Sequence, residues 1–289
     1  MTLSERTVEE KTRLRATRQG LPLAVVMGGA GGLGLACVRR LAQTHRVLLA
    51  DLDESRAQTF AGQLQEDGHQ VIAAGCDVVD EGSVEQLFAR AAELGPVRTL
   101  VHVVGLSPVA GDWRKILYVN LAGAVRTAAA ALGRMQPGGA AVFISSLAAH
   151  SIVADAPMQA VLAAPLAAGF VDAAAAAHGG DLTPPEAYRY SKLGLNLMCR
   201  RLAADWGARG ARIVSLSPGL IRTPMGDREF DNTPTKYDLL ARTPLGRQCE
   251  IGEVLDALEF LVSDRASFLT GTDLLLDGGL VAAMQSGGE

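Results

Sequence analysis

From Leu21 onward, short runs rich in Val, Ile, Leu and Ala alternate with longer amphipathic stretches. Runs of the first kind read as strands and the longer stretches as crossover helices, so their alternation predicts a parallel sheet. Seven runs qualify: LPLAVVMG (21–28), RVLLAD (46–51), QVIAAGC (70–76), RTLVHVVG (98–105), AAVFISS (140–146), RIVSLSPG (212–219) and TDLLLDGG (272–279). The early runs are apolar at nearly every position, which leaves neither face for water and calls for helices on both. The predicted fold is therefore α/β, a doubly wound, seven-stranded parallel sheet with helices on both faces.

One segment breaks this rhythm. HSIVADAPMQAVLAAPLAAGFVDAAAAAHGGDLTP, residues 150–184, is alanine-rich and stands between a strand and a helix where a short loop would suffice. It reads as a helical insertion, serving as a flap packed on the domain, an oligomer contact or a substrate lid. Asp155, Pro157, Pro165, Gly169 and Asp172 interrupt it too often for a membrane span. Residues 1–19 carry charges of both signs without the apolar run of a secretory signal, and read as an N-terminal extension to a single domain over 20–289. A cytoplasmic protein is the expectation.

Composition narrows the partners. A chain of 289 residues with 48% apolar residues has enough material for one large core. A net charge of -4 gives no broad basic field for nucleic acid. Cys37, Cys76, Cys199 and Cys249 are scattered, and the five histidines lack ligand-like pairing, so no metal is expected.

The first chemistry-bearing stretch is VVMGGAGGLGLACVRRLA, a strand running into a helix through glycines 28, 29, 31, 32 and 34. Such a turn lets backbone approach a pyrophosphate, toward which the helix directs its free N–H groups and positive dipole end. Gly28, Gly31, Gly32, Leu33 and Gly34 are the candidate phosphate cradle. Asp51 ends the second strand 23 residues after Gly28, where a carboxylate accepts hydrogen bonds from ribose hydroxyls and repels a 2′-phosphate. Leu52 follows it with no basic residue, and Arg56 comes only five residues later, so NAD is favoured over NADP. Asp77 with Val78 beyond the third strand, and Gly105 at the end of the fourth, fall on the same carboxyl edge. Asp77 could equally cap its turn, and Gly105 could simply break the strand.

The second stretch is AYRYSKLGL, 187–195. Tyr188 and Lys192 stand four apart on one helix face, whereas Tyr190 has Gly194 at that offset. Thr183, Pro184 and Glu186 supply an N-cap, a first helical residue and a capping box, which put Tyr188 in the second turn.

With that loop in front and that pair behind, the chain from Leu21 to Gly279 resembles the short-chain dehydrogenase/reductase family. MGGAGGLG matches the family's glycine motif with Met27 in place of its threonine, and His102-Val103-Val104-Gly105 keeps only the glycine of Asn-Asn-Ala-Gly. YVNLAG supplies Asn120, and VFISSLAAH supplies Ser146 with Ser145 as its neighbour. LSPGLIRT supplies Pro218, Gly219, Ile221 and Thr223, which resemble residues lining the nicotinamide and pyrophosphate, and LTGTDLLLDGG resembles the final strand.

The resemblance implies a Rossmann-type fold and an enzyme that passes hydride between a nicotinamide cofactor and a secondary alcohol or ketone. In that scheme Tyr188 is the general acid/base, Lys192 lowers its pKa and holds the ribose, Ser146 orients the substrate oxygen, and Asn120 organises a relay water. The 42 residues from Ser146 to Tyr188 are far more than is usual in the family, and resemble the branch of bacterial 3α-hydroxysteroid dehydrogenase/carbonyl reductases. That branch implies alicyclic or steroid-like substrates and a homo-oligomer, dimer or tetramer, in which the extra helices favour the dimer. Residues 222–248 follow as a substrate loop, with Met225, Phe230, Leu239 and Leu240 as pocket wall or packing face. The competing readings are a 3-oxoacyl reductase using NADP and a dinucleotide-sensing protein without turnover.

Overall fold

The computed structural model describes residues 20–222 and 235–286. Its centre is one sheet of β1 (Leu23–Met27), β2 (Arg46–Asp51), β3 (Val71–Gly75), β4 (Val97–His102), β5 (Met135–Ile144), β6 (Arg212–Pro218) and β7 (Asp273–Leu276). The strand order is β3-β2-β1-β4-β5-β6-β7 and every pairing is parallel. The order reverses between β1 and β4, and the crevice at the carboxyl ends there is where a doubly wound sheet takes its ligand.

All seven expected strands are present, and several of their boundaries differ from the apolar runs. β4 ends at His102, so Gly105 lies in the following loop and does not close the strand. β5 starts at Met135, ahead of the apolar run, because Met135 pairs with Val97 across a register shift and Gly138 takes φ 77° between them. Gln136, Pro137 and Gly138 carry no alternating pattern that would have disclosed this extension.

The two-residue period of the strands divides the core. Val25, Met27, Leu100 and Phe143 face one side with α3 (Glu81–Leu94), α5 (Gly123–Leu132) and α8 (Pro184–Ala208). Ala24, Val26, Leu49 and Val101 face the other with α1 (Gly32–Leu41), α2 (Glu54–Glu66) and α10 (Ile251–Val262). All five residues of β1 are buried, as a strand covered on both faces requires.

The insertion forms α6 (Ala156–Ala163) and α7 (Phe170–His178). Asp155 caps α6 by accepting the Met158 N–H at 2.9 Å, and Gly169 opens α7 in the left-handed region at φ 72°. Met158, Leu162, Phe170 and Val171 pack with Trp113, Ile116 and Leu117 of α4 (Trp113–Leu117) and with Ala187 of α8. Burying a side chain as large as that of Phe170 contributes about 1.5–3 kcal/mol. The segment is thus a pair of helices packed against α4 and α8. No helix among the described residues is long and apolar enough to cross a membrane.

Candidate active site

The turn between β1 and α1 is shaped by its glycines. Gly28 takes φ 78°, and a Cβ on Gly34 would collide with the carbonyl oxygen of Gly28, so strand and helix approach closely only without side chains. No side chain caps α1 at Gly31, and the space beside Gly32 is open. An uncapped helix start with open space beside Gly32 suits an anion such as a pyrophosphate.

Asp51 stands at the end of β2, where its Oδ2 accepts the Ala30 N–H at 2.9 Å and its Oδ1 accepts that of Asp53 at 3.2 Å. It therefore braces the glycine turn as well as facing the crevice edge, and Leu52 beside it is 74% exposed. Asp77 Oδ1 accepts the Val79 N–H at 3.0 Å, a local turn bond, while Val78 is buried against Gly123.

α8 begins with the capping box of Thr183 and Glu186 and a proline in its first turn. This fixes the helix start, and hence the rotation that turns Tyr188 and Lys192 to one face. Lys192 Nζ lies 5.8 Å from the Tyr188 ring centroid and donates to the Ile144 carbonyl at 2.9 Å. Lys192 is buried, and burial pushes its pKa from 10.5 down to about 8. Tyr190 packs elsewhere, edge-on to His178 at 6.4 Å.

Asn120 lies in a π-helical turn, Tyr118–Ala122, between α4 and α5, a distortion that recurs at functional sites. Its Oδ1 accepts the Leu106 N–H at 2.7 Å, and its Nδ2 donates to the Leu106 carbonyl at 3.0 Å and to Ser191 Oγ at 3.2 Å. Ser191 in turn donates to the Tyr188 carbonyl at 2.8 Å. The amide thus clasps the loop after β4 to α8. Gly105 belongs to this junction, since a Cβ there would meet Lys192 Nζ at 3.3 Å and Asn120 Oδ1 at 3.5 Å.

The two serines after β5 divide their tasks. Ser145 is buried and donates to the Lys192 carbonyl at 3.2 Å. Ser146 is half-buried and accepts the Ala148 N–H at 3.2 Å as it caps the short helix Leu147–His150. His150 then bonds Asp273 of β7 at 2.8 Å, and Ser217 of β6 donates to the same carboxylate at 2.9 Å.

Pro218 ends β6, and Gly219 leaves no room for a side chain because its Cβ would lie 2.8 Å from Asp277 Cα. Ile221 pairs with Cys249 in an isolated parallel bridge. Thr223, Met225 and Phe230 lie outside the described residues, while Leu239 and Leu240 are half-buried on α9 (Thr235–Arg242).

The site thus gathers Tyr188, Lys192, Asn120, Gly105 and the β5 end within one junction at the sheet's carboxyl edge. Two of its members had no role in the sequence reading. Ser191 has no sequence signal beyond its place between Tyr188 and Lys192. His102 is a histidine at the end of an apolar strand; it is fully buried, neither ring nitrogen has a hydrogen-bond partner, and its pKa is pushed down to about 3 by burial and then by the charge of Lys192. Among the described residues no cluster of His, Cys, Asp and Glu could hold a metal ion.

Comparison with known proteins agrees along the chain. The family model described as short chain dehydrogenase matches residues 22–160, and that described as Enoyl-(Acyl carrier protein) reductase matches residues 172–281. The chain is 34% identical to a short-chain dehydrogenase/reductase, bsc3, of Alternaria brassicicola over 89% of this chain and 95% of the relative. It is 30% identical to D-threitol dehydrogenase of Mycolicibacterium smegmatis over 89% of this chain and 92% of the relative. The crystal structure of gox2181 superposes with a TM-score of 0.72 at 30% identity, covering 91% of this chain and 96% of that one. With the glycine turn, the Tyr188–Lys192 helix and the seven-stranded sheet in one chain, the protein belongs to the short-chain dehydrogenase/reductase family and is an oxidoreductase acting on CH–OH groups with a nicotinamide dinucleotide.

Proposed function

We propose that the protein is an NAD-dependent oxidoreductase that interconverts a secondary alcohol and a ketone, with Tyr188 as general acid/base. The observation that carries this reading is the buried Lys192 ammonium one turn from Tyr188. A tyrosine of reference pKa about 10 is a poor base, and lowering it by two units needs about 2.7 kcal/mol of preferential phenolate stabilisation. A nearby cation in a desolvated site is a suitable source.

The nicotinamide, when bound, donates or accepts the hydride. Tyr188 Oη removes the alcohol proton in oxidation and returns it in reduction, while Lys192 favours the phenolate form. Ser146 orients the substrate oxygen by hydrogen bonding. Asn120 keeps the loop carrying Gly105 against α8 and organises the relay water. Gly28, Gly31, Gly32, Leu33, Gly34, Asp77, Val78, Pro218, Gly219, Ile221 and Thr223 complete the cofactor cradle, and Asp51 selects NAD by accepting the ribose hydroxyls.

The substrate we favour is alicyclic or steroid-like, on the strength of the long segment between Ser146 and Tyr188. We further propose a homodimer, because α6 and α7 cover the outer face of α4 and the start of α8; light scattering at a mass other than the dimer's would reject this. The test of the reaction is NAD and NADP binding together with turnover on cyclic and linear secondary alcohols, with Tyr188→Phe as control. Loss of about 10²–10⁴-fold in kcat is expected for that variant. NAD binding without turnover, or full activity of Tyr188→Phe, defeats the reading.

A further inference from the structure

β4 ends on the α8 side of the sheet with His102, whose ring packs on Phe143 at a centroid distance of 5.2 Å. Both Nδ1 and Nε2 are buried without a hydrogen-bond partner. A leucine or phenylalanine would fill this place and bring no polar atom with it, so the imidazole calls for an account beyond packing.

Its surroundings supply one. His102 and Phe143 are opposite one another in the β4–β5 ladder, and Ile144, the next residue of β5, holds Lys192 Nζ through its carbonyl. The ammonium therefore sits about one rung beyond the imidazole. Burial lowers the pKa of Lys192. One turn further along α8, Asn196 Oδ1 is likewise buried without a partner. The ring is held neutral, so one of its nitrogens is an acceptor and the other a donor. The titratable groups around this spot are Tyr188 and Lys192 from α8 and His102 from β4. β5 adds the Ile144 carbonyl and the Ser145 hydroxyl, and the π-helical turn adds Asn120.

We propose that His102 is a positioning residue for Lys192, whose neutral imidazole offers the buried ammonium an acceptor through one bound water and so keeps it charged and in place beside Tyr188. Buried waters of this kind bridge polar groups that protein atoms leave unpaired. The proposal rests on the reading of Tyr188 and Lys192 as the catalytic pair. Losing the acceptor makes Lys192 release its proton more readily, leaves the Tyr188 phenolate with less support, and moves the acid limb of alcohol oxidation to higher pH.

The test compares His102→Phe, which keeps an aromatic ring against Phe143, with His102→Asn, which restores an acceptor. For His102→Phe the acid limb of kcat/KM should rise by about one pH unit and NADH binding should weaken roughly tenfold, without a fall in Tm. His102→Asn should return both toward wild type. A purely space-filling histidine would change Tm and leave the pH limb and NADH affinity alone, and that result overturns the proposal, as does an Asn variant indistinguishable from Phe. A direct readout needs neither variant. Imidazole ¹⁵N spectra of the full chain without cofactor should show His102 as one neutral tautomer from pH 6 to 9, with its acceptor nitrogen shifted in Lys192→Met. An unchanged nitrogen overturns the proposal. A wild-type protein that turns over no alcohol refutes the catalytic reading, while the spectra and NADH affinities still decide the role of His102.

Discussion

A buried ammonium with a single carbonyl partner costs stability, and Lys192→Met makes that cost measurable. The fall in the lysine pKa from 10.5 to about 8 corresponds to about 3 kcal/mol of disfavoured charge. Below pH 8 both folded and unfolded chains carry the proton, and the native state bears the whole cost. Between pH 8 and 10.5 the folded chain has released the proton and the unfolded chain has kept it, so wild-type stability rises with pH relative to the variant. The slope is about 1.4 kcal/mol per pH unit inside that window, which gives about 2 kcal/mol between pH 7 and 9.5. The lost bond to Ile144 shifts the two proteins by a pH-independent amount, and groups distant from Lys192 contribute alike in both. Urea denaturation of the cofactor-free proteins at the two pH values therefore reads the lysine together with the Tyr188 it is coupled to. If the stability difference between Lys192→Met and wild type stays constant with pH, or changes in the opposite direction, Lys192 is not a buried charge and its support of a phenolate loses its physical basis.

Other outcomes follow from single contacts. Ser145→Ala should cost about 1 kcal/mol in urea denaturation, through its lost bond to the Lys192 carbonyl, and change kcat/KM little. Ser146→Ala should lower kcat/KM about 10²-fold if its hydroxyl has the proposed role toward the substrate oxygen, and cost about 1 kcal/mol through its lost cap on the helix Leu147–His150; a large kinetic loss in Ser145→Ala with none in Ser146→Ala would exchange the two serines' roles. Gly34→Ala should abolish measurable NADH binding by calorimetry, since the new methyl collides with the Gly28 carbonyl. Asp51→Ala should weaken NAD binding about tenfold and raise the relative affinity for NADP, and an unaltered ratio would remove the residue from cofactor selection.

The sheet was legible because buried parallel strands leave nearly unbroken apolar runs, and the α8 start because Thr183, Pro184 and Glu186 spell a cap in local chemistry. The glycine turn was legible for a similar reason, since only glycine permits the approach of residues 28 and 34. What the sequence concealed depends on contacts between distant segments. The clasp from Asn120 to Leu106 and Ser191 spans 14 and 71 positions along the chain. The extension of β5 to Met135 is dictated by its partner Val97, and the solitude of the His102 ring is visible only once three elements close around it. The insertion was recognisable by composition, while its docking on Trp113 and Leu117 required the fold.

The capping box at the start of α8 has a meaning for how such a chain can change over time. Thr183 and Glu186 begin the helix by their own reciprocal bonds, with Pro184 between them. The angular setting of Tyr188 and Lys192 is therefore established downstream of α6 and α7, independently of how many residues precede the cap. Residues can be gained or lost between His150 and Leu182 without rotating Tyr188 and Lys192 about the helix axis, so this is a joint at which the paired helices α6 and α7 can be remodelled while the setting of those two side chains is kept.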